Sequence, residues 1–356
     1  MPIIDLYGHE DLRTRLSQSA ASGSLPASLL FHGPRGIGKQ RLALWLAQAL
    51  LCENDPAPCG KCKSCGYALE LHHPDLHWYF PRPRLKDADP DLADVREDYD
   101  EVIEKRRLAG GLYSATPGNE GIFVATVRAL VQQAAMSPAI GKRKVFVVGD
   151  AERMVLRENA DDAANAFLKL LEEPSPTTTI IITSSEPGAL LPTIRSRTVA
   201  LRAQRLPEPT VREFLADPVV TATLGIKSAK DVNEKVQIAD GAPGTLFGDD
   251  ARAKAMAAAR KLVDAAMSRQ LSQRHAAAMS VGAAGARGGF TEILDALTII
   301  LGERMRAALH DGNSQRALAV SRAADLVGNA RLHASGNVNP QLIVAGLLRE
   351  LSVAFR

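Results

Sequence analysis

The sequence predicts an α/β domain, a mostly parallel sheet with flanking helices, followed by a small helical domain and an all-α C-terminal block. Three observations carry that expectation. Short strand-like runs, SLLFHG (Ser28 to Gly33), KVFVV (Lys144 to Val148) and TTTIIITSS (Thr177 to Ser185), alternate with helix-periodic stretches up to about Leu201. Strands separated by helices imply parallel pairing. Beyond Pro207 and Pro209 the strand signal stops, and Ala- and Leu-rich helical spacing takes over.

Taken in order, Ser28–Gly33 reads as a buried strand running into a glycine loop, and Gln40–Leu51 as an apolar-periodic helix. Cysteines cluster from Cys52 to Cys65. From Arg82 to Gly121 the chain reads as an insertion: prolines, the charged run DLADVREDYDEVIEKRR, then a Gly/Pro loop. The charged run predicts an exposed, solvated helix. Helical spacing resumes over Ile122–Ala135 and strand character at Lys144. We place domains at residues 1–206 (the sheet domain, with a metal-binding module at 52–65 and the insertion at about 82–121), 207–248 (a helical lid broken by GAPG at Gly241–Gly244) and 249–356 (helical).

The 356 residues suffice for two or three domains, and 46% hydrophobic content supplies their cores. Lys and Arg total 43 against 40 Asp and Glu, a net charge of +3. That balance gives no warrant for a DNA-coating protein and leaves any nucleic-acid contact to a local patch. The start MPIIDLYGHE lacks a basic region with an apolar stretch behind it, so no signal peptide is expected. No apolar run is long enough to cross a bilayer. The expected address is the cytoplasm, where clustered cysteines are more often metal ligands than disulfides.

Cys52, Cys59, Cys62 and Cys65 are the chain's full set of cysteines. Two interlocked Cys-x-x-Cys steps with one more thiolate upstream supply the four soft ligands of a closed structural Zn²⁺ site. Pro56, Pro58, Gly60 and Gly66 provide turns; His72 and His73 are competing ligands. The alternative is a redox pair with two spare thiols.

Gly33-Pro-Arg-Gly-Ile-Gly-Lys39 follows a strand and opens a helix, the context of a phosphate-binding loop. Gly33, Gly36 and Gly38 would expose backbone N–H groups to phosphate, and Lys39 would reach the β- and γ-phosphates. The next residue is Gln40, where a working loop carries the Ser or Thr hydroxyl that binds Mg²⁺. A glutamine amide is a poor ligand for that small octahedral ion.

The run NAFLKLLEEP (Asn165 to Pro174), the strand TTTIIITSS and the segment TIRSR (Thr193 to Arg197) follow one another. In that order they resemble the core of the clamp-loader branch of AAA+ ATPases, strongly from Leu29 to Leu201 and more weakly afterwards. The resemblance implies an AAA+ P-loop domain, a helical lid and an all-α collar. It aligns KVFVVGDAERM so that Gly149 and Asp150 stand where an active subunit has Asp-Glu; shifting by one puts Asp150 and Ala151 there. A second sensor arginine of the family falls on Gly244. These substitutions imply a subunit that does not hydrolyse ATP, with nucleotide binding through the loop left open.

In Ser-Arg-Thr, Arg197 matches the family's trans-acting arginine finger, which meets the γ-phosphate held by the neighbouring subunit; the bland alternative is a salt bridge. Arg195 is the natural control if the segment is extended. The resemblance further implies gamma/tau and delta clamp-loader subunits as partners, and through them the sliding clamp and primed DNA. The cysteine spacing also matches the family. Two rival readings are an ATP-hydrolysing gamma/tau-type motor and a stand-alone zinc-containing DNA-binding protein. His275, His310 and His333 are scattered. The tail stripe Ile343, Leu347 and Leu351 faces either a neighbour or its own core.

Overall fold

A computed structural model describes residues 2–87, 90–114, 120–154, 161–247, 251–268, 270–281, 287–334 and 339–355. The chain divides into two compact units, Met1–Phe247 and Gly248–Arg356.

The first unit runs α1 (Glu10–Ala21), β1 (Ser28–His32), α2 (Lys39–Leu51), α3 (Lys63–Leu69), β2 (Leu76–Tyr79), α4 (Leu92–Leu108), α5 (Val124–Ala135), β3 (Lys144–Val148), α6 (Asp161–Glu172), β4 (Thr178–Ser184), α7 (Pro192–Arg195) and β5 (Val199–Arg202). Three further helices follow: α8 (Glu208–Ala216), α9 (Pro218–Leu224) and α10 (Ala229–Ala239). The five strands pair in parallel in the order β2-β3-β4-β1-β5. This is the mostly parallel sheet with flanking helices expected of an AAA+ P-loop domain.

Burial explains which strands the sequence announces. Every residue of β3 and β4 is buried, as are the first four of β1, and strands covered on both faces read as continuous apolar runs. The register sets Leu29 beside Ile181 and Val147 beside Ile181 across the centre of the sheet. Edge strand β2 carries LHWY and has neither alternation nor an apolar run, so pattern alone does not find it; its ladder with β3 does. In α6, Phe167 and Leu171, four residues apart, bury against this core. Glu172 and Glu173 stay exposed, and Pro174 follows the helix end.

The insertion does contain a helix, α4, started by an Asp91/Asp94 capping box. It is not wholly solvated. Val95, Tyr99 and Arg106 form an inward stripe and are buried. The loop around Gly110–Gly121 lies partly outside the described residues. Helices α8 to α10 gather a separate small core of Val211, Phe214, Leu215, Val220 and Phe247.

The second unit comprises α11 (Ala251–Met267), α12 (Leu271–Ser280), α13 (Arg287–His310), α14 (Ser314–Ala334) and α15 (Pro340–Ala354). The sequence boundary at 248/249 falls on residues outside those described. Asn339 caps α15 by accepting from the Gln341 N–H at 2.9 Å, with Pro340 next. Ile343, Leu347 and Leu351 face the unit's own core. His275, His310 and His333 lie on the surface. Among the described residues no helix is long and apolar enough to cross a membrane.

Candidate nucleotide pocket and metal centre

The loop between β1 and α2 has the backbone of a phosphate cradle. Gly36 and Gly38 adopt φ of +79° and +92°, left-handed values that glycine takes without strain. Gly38 caps α2, so Lys39 is its first residue. The Lys39 side chain turns back into the loop. Its ammonium donates to Gly33 O at 3.0 Å, Pro34 O at 2.8 Å and Ser185 Oγ at 2.9 Å, which uses all three of its donors. Burial pushes Lys39 down to about 8, while the carboxylates of Asp150 and Glu152 pull the other way.

Gln40 occupies the end of β3. Its Nε2 donates to Asp150 Oδ2 at 3.0 Å, and its Oε1 accepts from the Trp78 indole N–H, also at 3.0 Å. Indole only donates and carboxylate only accepts, so this amide has one orientation. It lies directly over Gly149: a Cβ built there would meet Gln40 Oε1 at 2.3 Å and its Cδ at 2.4 Å. A side chain at 149 and the amide of Gln40 exclude each other. The glutamine at 40 and the glycine at 149 are therefore one structural feature.

Gly244 tells a similar story. Its N–H donates to Gly36 O at 2.8 Å. A Cβ on Gly244 would lie 2.8 Å from that oxygen, and one on Gly36 would lie 2.3 Å from Thr245 Cγ2. The GAPG turn thus rests on the apex of the phosphate loop, backbone to backbone. From another side, His9 Nε2 meets Ile37 O at 2.8 Å.

The sequence reading missed three residues here. Trp78 sits on the unannounced strand β2, where its pairing with Val147 brings it alongside the end of β3. Glu152 Oε1 accepts from the Ser185 N–H at 3.0 Å, and its Oε2 is buried without a hydrogen-bond partner among the described residues. Burial, then the Asp150 charge, raise its carboxyl above the usual range. Arg106 of α4 packs on Trp78. The clue was an arginine at the inward spacing of Val95 and Tyr99.

Arg197 lies just after α7, which is helical, so the extended geometry that made Arg195 a control does not occur. Its guanidinium forms an ion pair with Glu172 at the end of α6 and donates to Thr193 O at 3.0 Å. The side chain remains 28% exposed.

The four cysteine sulfurs all lie within 4.8 Å of one another and could hold a metal ion. Cys52 and Cys62 sulfurs are 3.8 Å apart, and Cys59 and Cys65 sulfurs 4.0 Å. Metal–sulfur bonds of about 2.3 Å in a tetrahedron put sulfurs about 3.8 Å apart, so the set fits. Backbone N–H groups point at the sulfurs: Cys59 toward Cys52, Lys61 and Cys62 toward Cys59, Cys65 toward Cys62, at 3.3–3.5 Å. Such donors stabilise thiolate. The N–H groups of Lys61 and Cys62 draw the Cys59 thiol down to about 6. His72 instead meets Glu104 at 3.3 Å, and His73 Nδ1 accepts from the Asp75 N–H, so neither histidine joins the cluster.

The family described as "DNA polymerase III, delta subunit" matches residues 8–207, more than half of the chain. Over 172 residues the sequence is 36% identical to the DNA polymerase III subunit delta' of Pseudomonas aeruginosa. The chain belongs to the delta-prime clamp-loader family. The family match contains the phosphate loop, the four cysteines, Gly149 and Arg197, and ends before Gly244. The Pseudomonas match takes in 48% of this chain and 40% of that delta-prime protein. The gamma/tau subunit of Mycobacterium bovis is 31% identical over 214 residues, 60% of this chain and 30% of the relative. The chain thus spans less than half the length of either curated relative. A DNA polymerase III gamma subunit-related protein of Thermotoga maritima aligns over 96% of this chain and 99% of its own at 16% identity, with a TM-score of 0.43.

Proposed function

We propose that this protein is the delta-prime subunit of a DNA polymerase III clamp loader and acts in it as a stator that does not hydrolyse ATP. One observation carries the reading: the Gln40 amide, bonded to Asp150 and Trp78, fills the space over Gly149. An active loop needs a hydroxyl and an acid there to hold Mg²⁺, and loss of such groups costs orders of magnitude in rate. The same residues disfavour a gamma/tau-type motor, despite the similarity to gamma/tau relatives.

In this reading Arg197 is lent to a neighbouring ATPase subunit, where a planar, permanently charged guanidinium neutralises the transferring phosphoryl group. In the isolated chain Glu172 holds it in a partly exposed ion pair, worth about 0–1 kcal/mol and easily exchanged for a triphosphate. The partners are gamma/tau and delta subunits, and the assembly opens the sliding clamp and places it on primed DNA. Cys52, Cys59, Cys62 and Cys65 would hold a structural Zn²⁺ that fixes the loop between α2 and α3, a stretch too short for a core of its own. The sheet unit, the α8–α10 lid and the helical C-terminal unit would serve as motor-like base, lid and collar.

The test is reconstitution. The isolated chain should release no phosphate above background. Arg197→Ala should lower DNA-stimulated ATPase of the whole complex by about a thousandfold at the site it faces, with the subunit's own stability unchanged within about 0.5 kcal/mol. Brisk hydrolysis by the purified chain would refute the stator reading; undiminished turnover of the Arg197→Ala complex would refute the finger.

A further inference from the structure

The charged helix α4 has no part in the function proposed so far, yet its Arg106 reaches the pocket. Arg106 is 8% exposed. Its guanidinium carbon lies 3.5 Å from the Phe80 ring centre, 3.8 Å from that of Tyr113 and 4.6 Å from that of Trp78. Its Nη1 has no hydrogen-bond partner among the described residues. Burying a guanidinium without a bidentate acid is costly. The three aromatic faces offset part of that cost, and the Asp150 charge attracts it from further off.

The Oε1 end of the Gln40 amide is tied to Trp78, the ring on which Arg106 packs. A cation against an indole face draws electron density from the ring, which strengthens the ring N–H as a donor. It also fixes the plane of Trp78, whose N–H must meet Gln40 Oε1 at 3.0 Å.

We propose that Arg106 is the protein's own replacement for the missing metal charge: a positioning residue that, through Trp78, holds Gln40 over Gly149 and keeps the pocket closed to magnesium-bound nucleotide. The proposal rests on the non-hydrolysing reading above and gives the insertion between Arg82 and Gly121 a task. The insertion braces a site from which the ion has gone, by a charge the chain carries itself.

The chain has two tryptophans, so Trp45 serves as an internal control. Solvent exchange of the Trp78 indole N–H, followed by NMR in the full chain, should quicken by about tenfold or more in Arg106→Met, while Trp45 stays within about twofold. Arg106→Lys, which keeps the charge, should stay within about threefold of the parent. A second arm starts from the chain carrying Gln40→Thr and Gly149→Asp, titrated with a fluorescent ATP analogue and Mg²⁺. Adding Arg106→Met should tighten the Mg²⁺-dependent binding about tenfold. Unchanged Trp78 exchange, or equal affinity with and without Arg106, overturns the proposal. If Arg106→Met does not fold, the Lys variant decides: exchange near the parent rate supports the role, and a tenfold rise overturns it. Mg²⁺-dependent nucleotide binding by the unaltered chain would also overturn the proposal, whereas phosphate release by that chain would overturn the stator reading, a separate measurement.

Discussion

Two clusters of side chains in this protein are built in opposite ways. At the cysteine loop, four sulfurs converge at tetrahedral spacing and backbone N–H groups point at them. At the end of β3, an amide, an indole and an aromatic-boxed guanidinium contact one another instead. On the proposed reading, the contrast teaches how a kept site differs from a discarded one. A kept site arranges donors around a point; a discarded one turns its donors on each other.

That comparison breaks most readily at the cysteines. Cys62→Ser should lower the metal content of the purified protein from about one equivalent towards zero and cost several kcal/mol of stability, because metal affinity here is folding energy. Elemental analysis and thermal unfolding read both; full metal content in the variant would sink the four-thiolate assignment. At the other site the coupling lies between protein groups. Gly149→Ala alone should destabilise by about 1–3 kcal/mol, since its Cβ meets the Gln40 amide at 2.3 Å. Combined with Gln40→Ser it should cost markedly less, a coupling of about 1 kcal/mol or more in a double-mutant cycle. Additive effects would mean that the two residues are independent. Gly244→Ala should cost about 1 kcal/mol by prising the GAPG turn from Gly36 O, 2.8 Å away from the added Cβ.

A pH dependence offers a separate check. Lys39 titrates at about 8 in the folded chain against 10.5 when free. Between those values the unfolded chain binds more protons, so this group makes stability rise with pH from about 8 to about 10.5. Lys39→Met should flatten that rise relative to the parent. An identical slope in both proteins would mean that the ammonium is not buried in the loop.

How legible this was depended on how local the signal is. The strands covered on both faces, the phosphate loop and the cysteine cluster each announce themselves within a few residues. Gln40 and Gly149 were also visible, but only as departures from a pattern. Nothing in the sequence says that the side chain of one fills the space left by the other, because that fit depends on α2 packing beside β3. Trp78 and Arg106 were invisible for a similar reason: β2 is a four-residue edge strand, and α4 reads as charged on nearly every side. The park of Arg197 on Glu172 joins residues on two separate elements. The extended segment that sequence reading allowed around Arg195 is a helical turn instead.

The contact between Gln40 and Gly149 also bears on ancestry. A lineage that restores an acid at 149 while the amide is in place meets a clash. One that restores the hydroxyl at 40 first gains no acid to work with. If the proposed stator reading holds, neither step alone recovers a catalyst, and a subunit that has crossed this divide has no easy downhill route back.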